Sequence, residues 1–351
     1  MALKFKPICF DSIGAKSSCT LVETSDIKVL IDPGVTVMQP SFPASSQQKE
    51  QWKKQGLKSI RKAAQDAEII VVSHYHYDHF LPDKRDIYEG KKLFTKNPNE
   101  YINDSQRQRA ENFFKTLIKN SDITINERQE QSKSIGDYPE SLLNFLPVSN
   151  NKDFGDYQKR RNELMKKGKR RYKRKKAKWI KRNKILPLDK NNIKIVYPEN
   201  QVFKFEDTVL RFTGPLFHGI EYSKVGWVFS TVIEHNGKKF LHSSDLNGPI
   251  IEDYAEWIIK ENPDYLILDG PMTYMYGFLL NKINLGRAVD NACKIIKNID
   301  SDVIIYDHHL VREKNFRKHT KKAWDTAYKK NVDLLTAAEY LDYETIVEKI
   351  T

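Results

Sequence analysis

The chain has 351 residues, 39% of them hydrophobic, which is enough to bury the core of one α/β domain with an insertion. No apolar run approaches the roughly 18 residues that a membrane span needs, and the opening Met-Ala-Leu-Lys-Phe-Lys-Pro lacks the apolar region of a secretory signal. The formal net charge is +13, and Cys9, Cys19 and Cys293 lack metal-binding spacing. We therefore expect no membrane association and a location in the reducing cytoplasm.

The most informative segment follows a predicted buried strand, the β-branched run from Ala67 to Ser73. It reads His74-Tyr-His76-Tyr-Asp78-His79. Two histidines that are two apart on an extended segment project to the same side and can bind one ion, while Asp78 and His79 turn toward a second position. Imidazole and carboxylate ligands suit zinc, iron or manganese better than calcium. We predict a metal site at the end of this strand, where open α/β sheets place their chemistry.

The positive charge is confined to an insertion that we place between residues 121 and 191. From residue 159 to 184 there are sixteen Lys and Arg and one acid, Glu163, whereas the rest of the chain has 43 basic and 45 acidic residues. The segment 157–184 lacks proline and is rich in helix formers, so we predict one or two exposed helices, or an arm that orders on contact.

Two interpretations of the basic segment remain open. It is either a solvated insertion in a Lys-rich protein or an arm that tracks the phosphates of RNA or DNA, with Tyr172 or Trp179 stacking on bases. In the second case the following side chains would contact nucleic acid: Arg170, Arg171, Tyr172, Lys173, Arg174, Lys175, Lys176 and Trp179.

Three later segments each place a possible metal ligand just after a predicted strand. The strands and their following residues are Val209–Thr213 with His218, Lys239–Ser244 with Asp245, and Val303–Tyr306 with His308. We expect C-terminal helices after the last of these.

The motif from His74 to His79, followed by these three residues in this order, resembles the metallo-β-lactamase superfamily. The resemblance implies an αββα four-layer sandwich of residues 1–120 and 192–351, interrupted by the insertion. It implies two divalent ions, zinc first and iron or manganese as alternatives, bridged by Asp245. The remaining ligands would form two groups of three: His74, His76 and His218 for one ion, and Asp78, His79 and His308 for the other.

The resemblance also suggests roles for residues beside the ligands. Asp32, at the end of a predicted strand, would orient a ligand histidine from behind without binding metal. His308 and His309 are adjacent, and the register favours His308 as the last ligand, with His309 as a supporting group or a proton donor. Arg312 could offer a charge to an anionic substrate or form a structural ion pair. We assign the other histidines separately: His242 as structural, His235 as solvated beside the Asn236-Gly237 turn and His319 as a surface residue.

A narrower resemblance covers most of the chain outside the insertion. The chain is similar to an archaeal family of metallo-β-lactamase-fold hydrolases, which implies hydrolysis but no particular substrate. The segments that carry this likeness are Phe10–Gly14, Leu30–Gly34, Ser73–His79, Ile102–Gln106, Ser244–Pro249, Gly270–Tyr274 and Asp307–Leu310.

These features lead to one functional hypothesis and two alternatives. We predict a dinuclear metal-dependent hydrolase that uses a metal-bridging hydroxide, with Asp78, Asp245 and His309 as catalytic residues. An Asp rather than a Cys at position 245 resembles the branches that act on phosphodiesters, thioesters and lactones, and the basic segment favours a phosphodiesterase or nuclease. The alternatives are a small-molecule hydrolase of lactones or thioesters, and a metal-stabilised nucleic-acid-binding protein with little catalysis. The oligomeric state is open.

Overall fold

A computed structural model describes residues 2–118, 127–128, 133–190 and 193–350. The first part of the described chain has these strands: β1 (Lys4–Phe10), β2 (Ser18–Glu23), β3 (Lys28–Ile31), β4 (Ile69–Val72), β5 (Lys92–Thr95), β6 (Glu127–Arg128), β7 (Lys184–Ile185), β8 (Leu188–Lys190) and β9 (Ile193–Val196). Its helices are α1 (Ser46–Asp66), α2 (Asp104–Ile118), α3 (Pro147–Asn151) and α4 (Gln158–Lys181).

The second part has these strands: β10 (Val202–Phe205), β11 (Thr208–Phe212), β12 (Leu216–Phe217), β13 (Trp227–Val228), β14 (Thr231–His235), β15 (Lys238–His242), β16 (Tyr265–Leu268), β17 (Val303–Tyr306) and β18 (Leu334–Leu335). Its helices are α5 (Glu252–Glu261), α6 (Lys282–Asn298), α7 (Phe316–His319), α8 (Lys321–Lys330), α9 (Ala337–Tyr340) and α10 (Ile346–Lys349).

Two seven-stranded sheets form the centre of the protein. The first has the order β1-β2-β3-β4-β5-β9-β8 and the second the order β10-β11-β14-β15-β16-β17-β18. In each sheet an antiparallel part joins a parallel part, which begins at the β3–β4 pair in the first sheet and at the β15–β16 pair in the second. One core cluster contains Ile31 and Val71 from the first sheet together with Ile267 and Ile305 from the second, so the sheets pack face to face.

Helices cover the outer face of both sheets. Ile60 of α1 and Phe113 of α2 are buried with side chains of the first sheet, and Ile258 of α5 and Ile295 of α6 are buried with those of the second. Because β4 is covered on both faces, all four of its residues are apolar, as in a central parallel strand. The predicted αββα architecture is confirmed.

The insertion contains a long helix that is packed against the domain rather than exposed all round. One stripe of α4 is buried at the helical spacing of three to four residues: Arg161, Met165, Gly168, Tyr172, Lys176 and Trp179. Tyr172 and Trp179 are each 1% exposed. The prediction that these two rings stack on bases is therefore wrong, because they pack beside Trp227 and because the Trp179 indole N–H donates to the Ile102 carbonyl at 3.0 Å.

The structure differs from three other expectations. His235 is 1% exposed and not solvated, because its ring lies 2.9 Å from Thr208 Oγ1 and 3.2 Å from Ser25 Oγ. The C-terminal segment adds β18 to the second sheet between α8 and α9, so it is not purely helical. His319 is half-buried against the Tyr276 ring.

Several predictions hold or stay open. His242 is buried, and its ring lies 3.0 Å from the Ser18 carbonyl, as expected of a structural residue. The three cysteines are buried and unpaired. None of the described helices is long and apolar enough to cross a membrane. The domain boundaries at residues 120 and 192 stay predictions, although β8 joins the first sheet from within the predicted insertion.

Candidate metal centre

Buried His and Asp side chains meet where strands of both sheets end. His74 follows β4, His218 follows β12, Asp245 lies just beyond β15 and His308 lies two residues after β17. The parallel strands β4, β16 and β17 bring their carboxyl ends to this edge. The loops that carry His74, Asp245 and His308 thus begin at strands of the two large sheets, whereas His218 follows a strand of the small β12-β13 sheet.

The first group of possible ligands is His74, His76, His218 and Asp245, whose ligand atoms all lie within 4.8 Å of one another. His74 Nε2 is 3.0 Å from His76 Nδ1 and 3.3 Å from Asp245 Oδ2. His218 Nε2 is 3.0 Å from the same carboxylate oxygen. This convergence is the arrangement expected around one ion of the size of zinc or manganese.

The second group consists of Asp78, His79 and His308. His308 Nε2 lies 3.8 Å from Asp78 Oδ2 and 3.5 Å from Asp245 Oδ1. His79 Nε2 lies 3.1 Å from Asp245 Oδ2. Asp245 therefore lies between the two groups, at the position that the resemblance implied for a bridging ligand.

His309 is not part of the group formed by Asp78 and His79, but it forms a third possible group with Asp245 and His308. Its Nε2 is 3.8 Å from Asp245 Oδ2, and its Nδ1 is 3.3 Å from Asn247 Nδ2 and 3.6 Å from Asp269 Oδ2. Its φ of +67° is unusual for a residue with a side chain and turns the chain between the two histidines. His308 belongs to two of the possible groups and His309 to one. The assignment of His308 as the last ligand and the catalytic role of His309 both stay predictions.

Unsatisfied polar atoms at this place fit a metal site. Among the described residues, buried side-chain atoms without a hydrogen-bond partner include His79 Nε2, both ring nitrogens of His218 and both carboxylate oxygens of Asp245. Buried polar groups are nearly always satisfied in folded proteins, so such a concentration calls for a missing partner. The donor set of imidazole and carboxylate suits a divalent transition metal, and the residues present therefore fit the implied ions.

Asp32 lies directly behind His79. Its carboxylate accepts hydrogen bonds from the Ser73 N–H and the Ser73 hydroxyl, both at 2.7 Å, and from His79 Nδ1 at 2.9 Å. The third contact leaves His79 Nε2 free to face Asp245. Gly34 packs closely against the backbone of the loop that carries His79. A Cβ at position 34 would lie 2.2 Å from the backbone nitrogen of His79, so only glycine fits.

Three supporting residues were not predicted from the sequence. Asp11 holds His308 from behind, with its Oδ1 3.0 Å from His308 Nδ1. Asp269 accepts the N–H of Asn247 and lies beside His309, and Gln106 places its Nε2 3.4 Å from His76 Nε2. Asp11 belongs to a segment that carries the family likeness, and Asp269 directly follows β16, so position after a strand was the available signal.

The electrostatics of the site favour the metal-binding forms of His74 and Asp245 but not that of His79. Burial, reinforced by the charge of His79, lowers the pKa of His74 to about 4 and keeps it neutral at pH 7. Burial opposes ionisation of Asp245, but the surrounding imidazoles, His79 first, hold its pKa well below the usual value. Burial also opposes the charge on His79, yet Asp245 and Asp32 raise its pKa well above the ordinary value. Metal binding is therefore expected to release a proton from His79.

Comparison with known proteins supports a metal site at this position. A family model described as the metallo-beta-lactamase superfamily matches residues 14–81, which include the whole His74–His79 motif. A UPF0282 protein of Methanopyrus kandleri is 30% identical over 356 residues, covering 97% of this chain and 95% of that protein. A UPF0282 protein of Methanocaldococcus jannaschii is 29% identical, covering 98% of this chain and 94% of that protein.

Solved structures show weaker similarity. The metallo-beta-lactamase fold protein YhfI from Bacillus subtilis aligns with a TM-score of 0.46 and 12% identity, covering 96% of this chain and 97% of YhfI. The short form of human tRNase Z aligns with a TM-score of 0.40 and 12% identity, covering 88% and 92% of the two chains.

The two facing sheets and the His/Asp cluster at their edge define a metal-dependent hydrolase of the metallo-β-lactamase superfamily. Within that class, the chain belongs to the UPF0282 family, as its full-length similarity to the archaeal relatives shows.

Proposed function

We propose that the protein is a phosphodiesterase that binds nucleic acid along α4 and hydrolyses it at a dinuclear zinc centre. The observation that carries this proposal is a row of exposed cations on α4, beside the loop that holds His218. Within the described chain, eight of these exposed residues have no acidic partner: Lys159, Lys166, Lys167, Lys169, Arg170, Lys173, Arg174 and Lys181. A phosphate backbone is the ligand that such a row of charges favours.

The binding surface is smaller than the one predicted from the sequence. Tyr172, Lys176 and Trp179 face the domain, and Arg171 donates from its guanidinium to the Tyr222 carbonyl at 2.8 Å. The exposed residues that remain from that prediction are Arg170, Lys173 and Arg174, with Lys175 half-buried. Contact through α4 would therefore be electrostatic, without base stacking on its aromatic residues.

Direct contacts connect α4 to the metal centre. A Cβ on Gly168 would lie 2.5 Å from Tyr222 Cβ, so the helix rests closely on a residue four positions after His218. Lys178 and Arg182 of the same region form ion pairs with Asp104 at the start of α2. From that helix Gln106 reaches His76. A strand bound along α4 would run beside the loops that carry the ligands.

The side chains of the site would have different roles in the reaction. Two divalent ions held by the two ligand groups would act as Lewis acids that activate water at neutral pH and stabilise developing negative charge. Asp32 and Asp11 fix the rings of His79 and His308. Burial and the nearby charges of His308 and Arg312 hold the pKa of His309 well below the ordinary value, so its neutral ring would offer a hydrogen bond rather than a proton.

Removing positive charges from α4 tests whether the protein binds nucleic acid as its substrate. The variant Lys166→Gln/Arg170→Gln/Lys173→Gln removes three cations from α4, and Lys54→Gln/Lys58→Gln/Lys62→Gln removes three exposed lysines from α1 as a matched control. We expect the α4 variant to bind labelled RNA or DNA more weakly, with a slope of log affinity against log salt reduced by about 2 to 3. Its turnover of a small phosphodiester should be unchanged. Equal effects of the two variants, or hydrolysis of a lactone alone, would contradict the proposal.

A further inference from the structure

The ring of His218 is held differently from the rings of the other candidate ligands. Each of the others has a polar side chain from outside the candidate ligand groups within 3.4 Å of a ring nitrogen: Ser73 for His74, Gln106 for His76, Asp32 for His79, Asp11 for His308 and Asn247 for His309. Within the described residues, neither ring nitrogen of His218 has a hydrogen-bond partner. The direction of this ring therefore depends on the backbone of the loop between β12 and β13.

The insertion holds this loop through Tyr222, four positions after His218. Tyr222 has a φ of +55°, which is unusual for a bulky side chain. Arg171 of α4 donates to its carbonyl at 2.8 Å, and the Leu142 N–H donates to its hydroxyl at 3.0 Å. The Tyr222 ring lies 5.2 Å from the ring of Phe217, the residue directly before His218. Contacts with the insertion therefore fix the backbone and the ring of a residue that packs beside the candidate ligand.

A buried ion network holds the preceding residue, Glu221. Its carboxylate pairs with Arg161 of α4 at 3.0 Å and with Arg287 of α6 at 2.8 Å, and the Ser149 hydroxyl of α3 donates to it. Glu221 and both arginines are buried, so these contacts are shielded from water. Arg161 and Ser149 therefore connect the insertion to the loop at a second point.

We propose that the insertion positions His218 for metal binding, with Arg171 as the positioning residue. The inference rests on the metal centre of the proposed function and not on its substrate. A loop that became ordered only when metal binds would lose conformational entropy at that moment, and this loss would weaken binding. Contacts with the insertion order the loop when the protein folds, so metal binding does not carry that cost.

The insertion then belongs to the metal centre although it supplies no ligand. None of its described residues is part of the candidate ligand groups. Its role for His218 corresponds to the role of Asp32 for His79, with the difference that it acts on the backbone of a loop and not on the imidazole ring.

The variant Arg171→Met tests the inference, because it removes the donor to the Tyr222 carbonyl and keeps the apolar part of the side chain. The affinity of the full-length protein for Co²⁺ is measured by competition with a chelator, and visible absorption of the same samples reports the geometry of the ligands. We expect a loss of affinity of about tenfold. Arg170→Met, at an exposed position of the same helix, is the matched control and should retain the wild-type affinity.

A double-mutant cycle with His218→Ala separates the positioning of His218 from a general loss of stability. If Arg171 acts through His218, Arg171→Met should cause no further loss of affinity in a protein that already lacks this ring. An equal loss in both backgrounds, or wild-type affinity in Arg171→Met, would overturn the inference alone. If His218→Ala itself left the affinity unchanged, the candidate metal centre would be contradicted, and the inference with it.

Tyr222→Phe provides an independent variant. It removes the hydroxyl that accepts the Leu142 N–H and keeps the ring beside Phe217. We expect a smaller loss of Co²⁺ affinity than in Arg171→Met, and this loss should also disappear in the His218→Ala background. If Arg171→Met does not fold, Tyr222→Phe decides the question, and an unchanged affinity in that variant would then overturn the inference.

Discussion

Asp32 accepts a hydrogen bond from His79 Nδ1 at 2.9 Å, and the opposite ring nitrogen of His79 lies 3.1 Å from Asp245. The carboxylate therefore fixes both the tautomer and the direction of the imidazole. It can do so because Asp32 adopts a φ of +50° directly after β3 and is anchored to Ser73 by two further hydrogen bonds. A residue outside the candidate ligand groups thus determines the direction in which His79, one of the candidate ligands, points.

Replacing Asp32 should weaken metal binding without removing a ligand. We expect Asp32→Ala to lower metal affinity by about 10- to 100-fold, because the His79 ring loses its partner. The affinity is measured by competition with a chelator, and Tm is measured on the same samples. Asp83→Ala, at an exposed carboxylate, is the control and should have no effect. Unchanged affinity in Asp32→Ala would show that His79 is positioned without this contact.

A buried ion network that includes Glu221 should make stability depend on pH. Burial opposes ionisation of Glu221, but Arg287, Ser149 and Arg161 lower its pKa to about 2 from the ordinary 4.5. A depressed pKa contributes stability that is present above pH 4.5 and lost as pH falls toward 2. This shift corresponds to about 3 kcal/mol.

Denaturant unfolding between pH 6 and pH 2 in the presence of chelator measures this effect. We expect the free energy of unfolding of the wild type to fall by about 3 kcal/mol more than that of Glu221→Gln over this range. The variant should already be less stable at pH 6, because Arg161 and Arg287 lose their shared partner. Parallel pH curves for the two proteins would show that Glu221 titrates normally in the fold.

Trp179 should contribute to folding and not to nucleic-acid contact. Its ring is buried beside Trp227, so Trp179→Ala should cost about 3 to 5 kcal/mol of unfolding free energy. Lys181→Ala, at an exposed position nearby, should change it by less than about 0.5 kcal/mol. Binding of labelled RNA is compared well below the Tm of each variant. A loss of RNA affinity in folded Trp179→Ala would show that Trp179 contacts nucleic acid and would contradict this prediction.

His235 should also be structural. Because its ring is buried between Thr208 and Ser25, His235→Ala should reduce the free energy of unfolding by about 1 to 3 kcal/mol while metal content stays unchanged. Lys204→Ala on the exposed face of β10 is the control. A neutral effect would favour the solvated histidine that the Asn236-Gly237 turn suggested.

The side chains of the candidate metal centre could be located from the sequence because most of them lie shortly after an apolar strand. His74 and His308 follow strands that runs of apolar, mostly β-branched residues mark clearly, and Asp245 follows the shorter apolar pair Phe240 and Leu241. The packed side of α4 could not be predicted in this way, because its buried stripe includes Arg161 and Lys176, whose partners come from distant segments. Charge alone suggested an arm exposed on every side.

The polar residues that position the site or lie buried elsewhere were also harder to predict, because their contacts are distant in sequence. Asp11 is almost 300 positions before His308 in the chain, and only the fold brings the two together. His235 directly precedes the Asn236-Gly237 turn, where a residue is normally solvated, but the loop before β3 covers it through Ser25. Local pattern determined the elements and most of the ligand positions, whereas contacts distant in sequence determined which polar residues are buried.

The central claim is that a metal centre containing Asp245 hydrolyses phosphodiesters. The most direct test is turnover of bis-p-nitrophenyl phosphate by metal-free protein and by the same protein reloaded with zinc, manganese or iron, with Asp245→Ala and the control Asp83→Ala beside the wild type. We predict turnover that requires metal, is lost in Asp245→Ala together with occupancy of the metal pair, and persists in Asp83→Ala. Turnover that survives in Asp245→Ala after the pair is lost, or no turnover with any of the three metals, would contradict the claim.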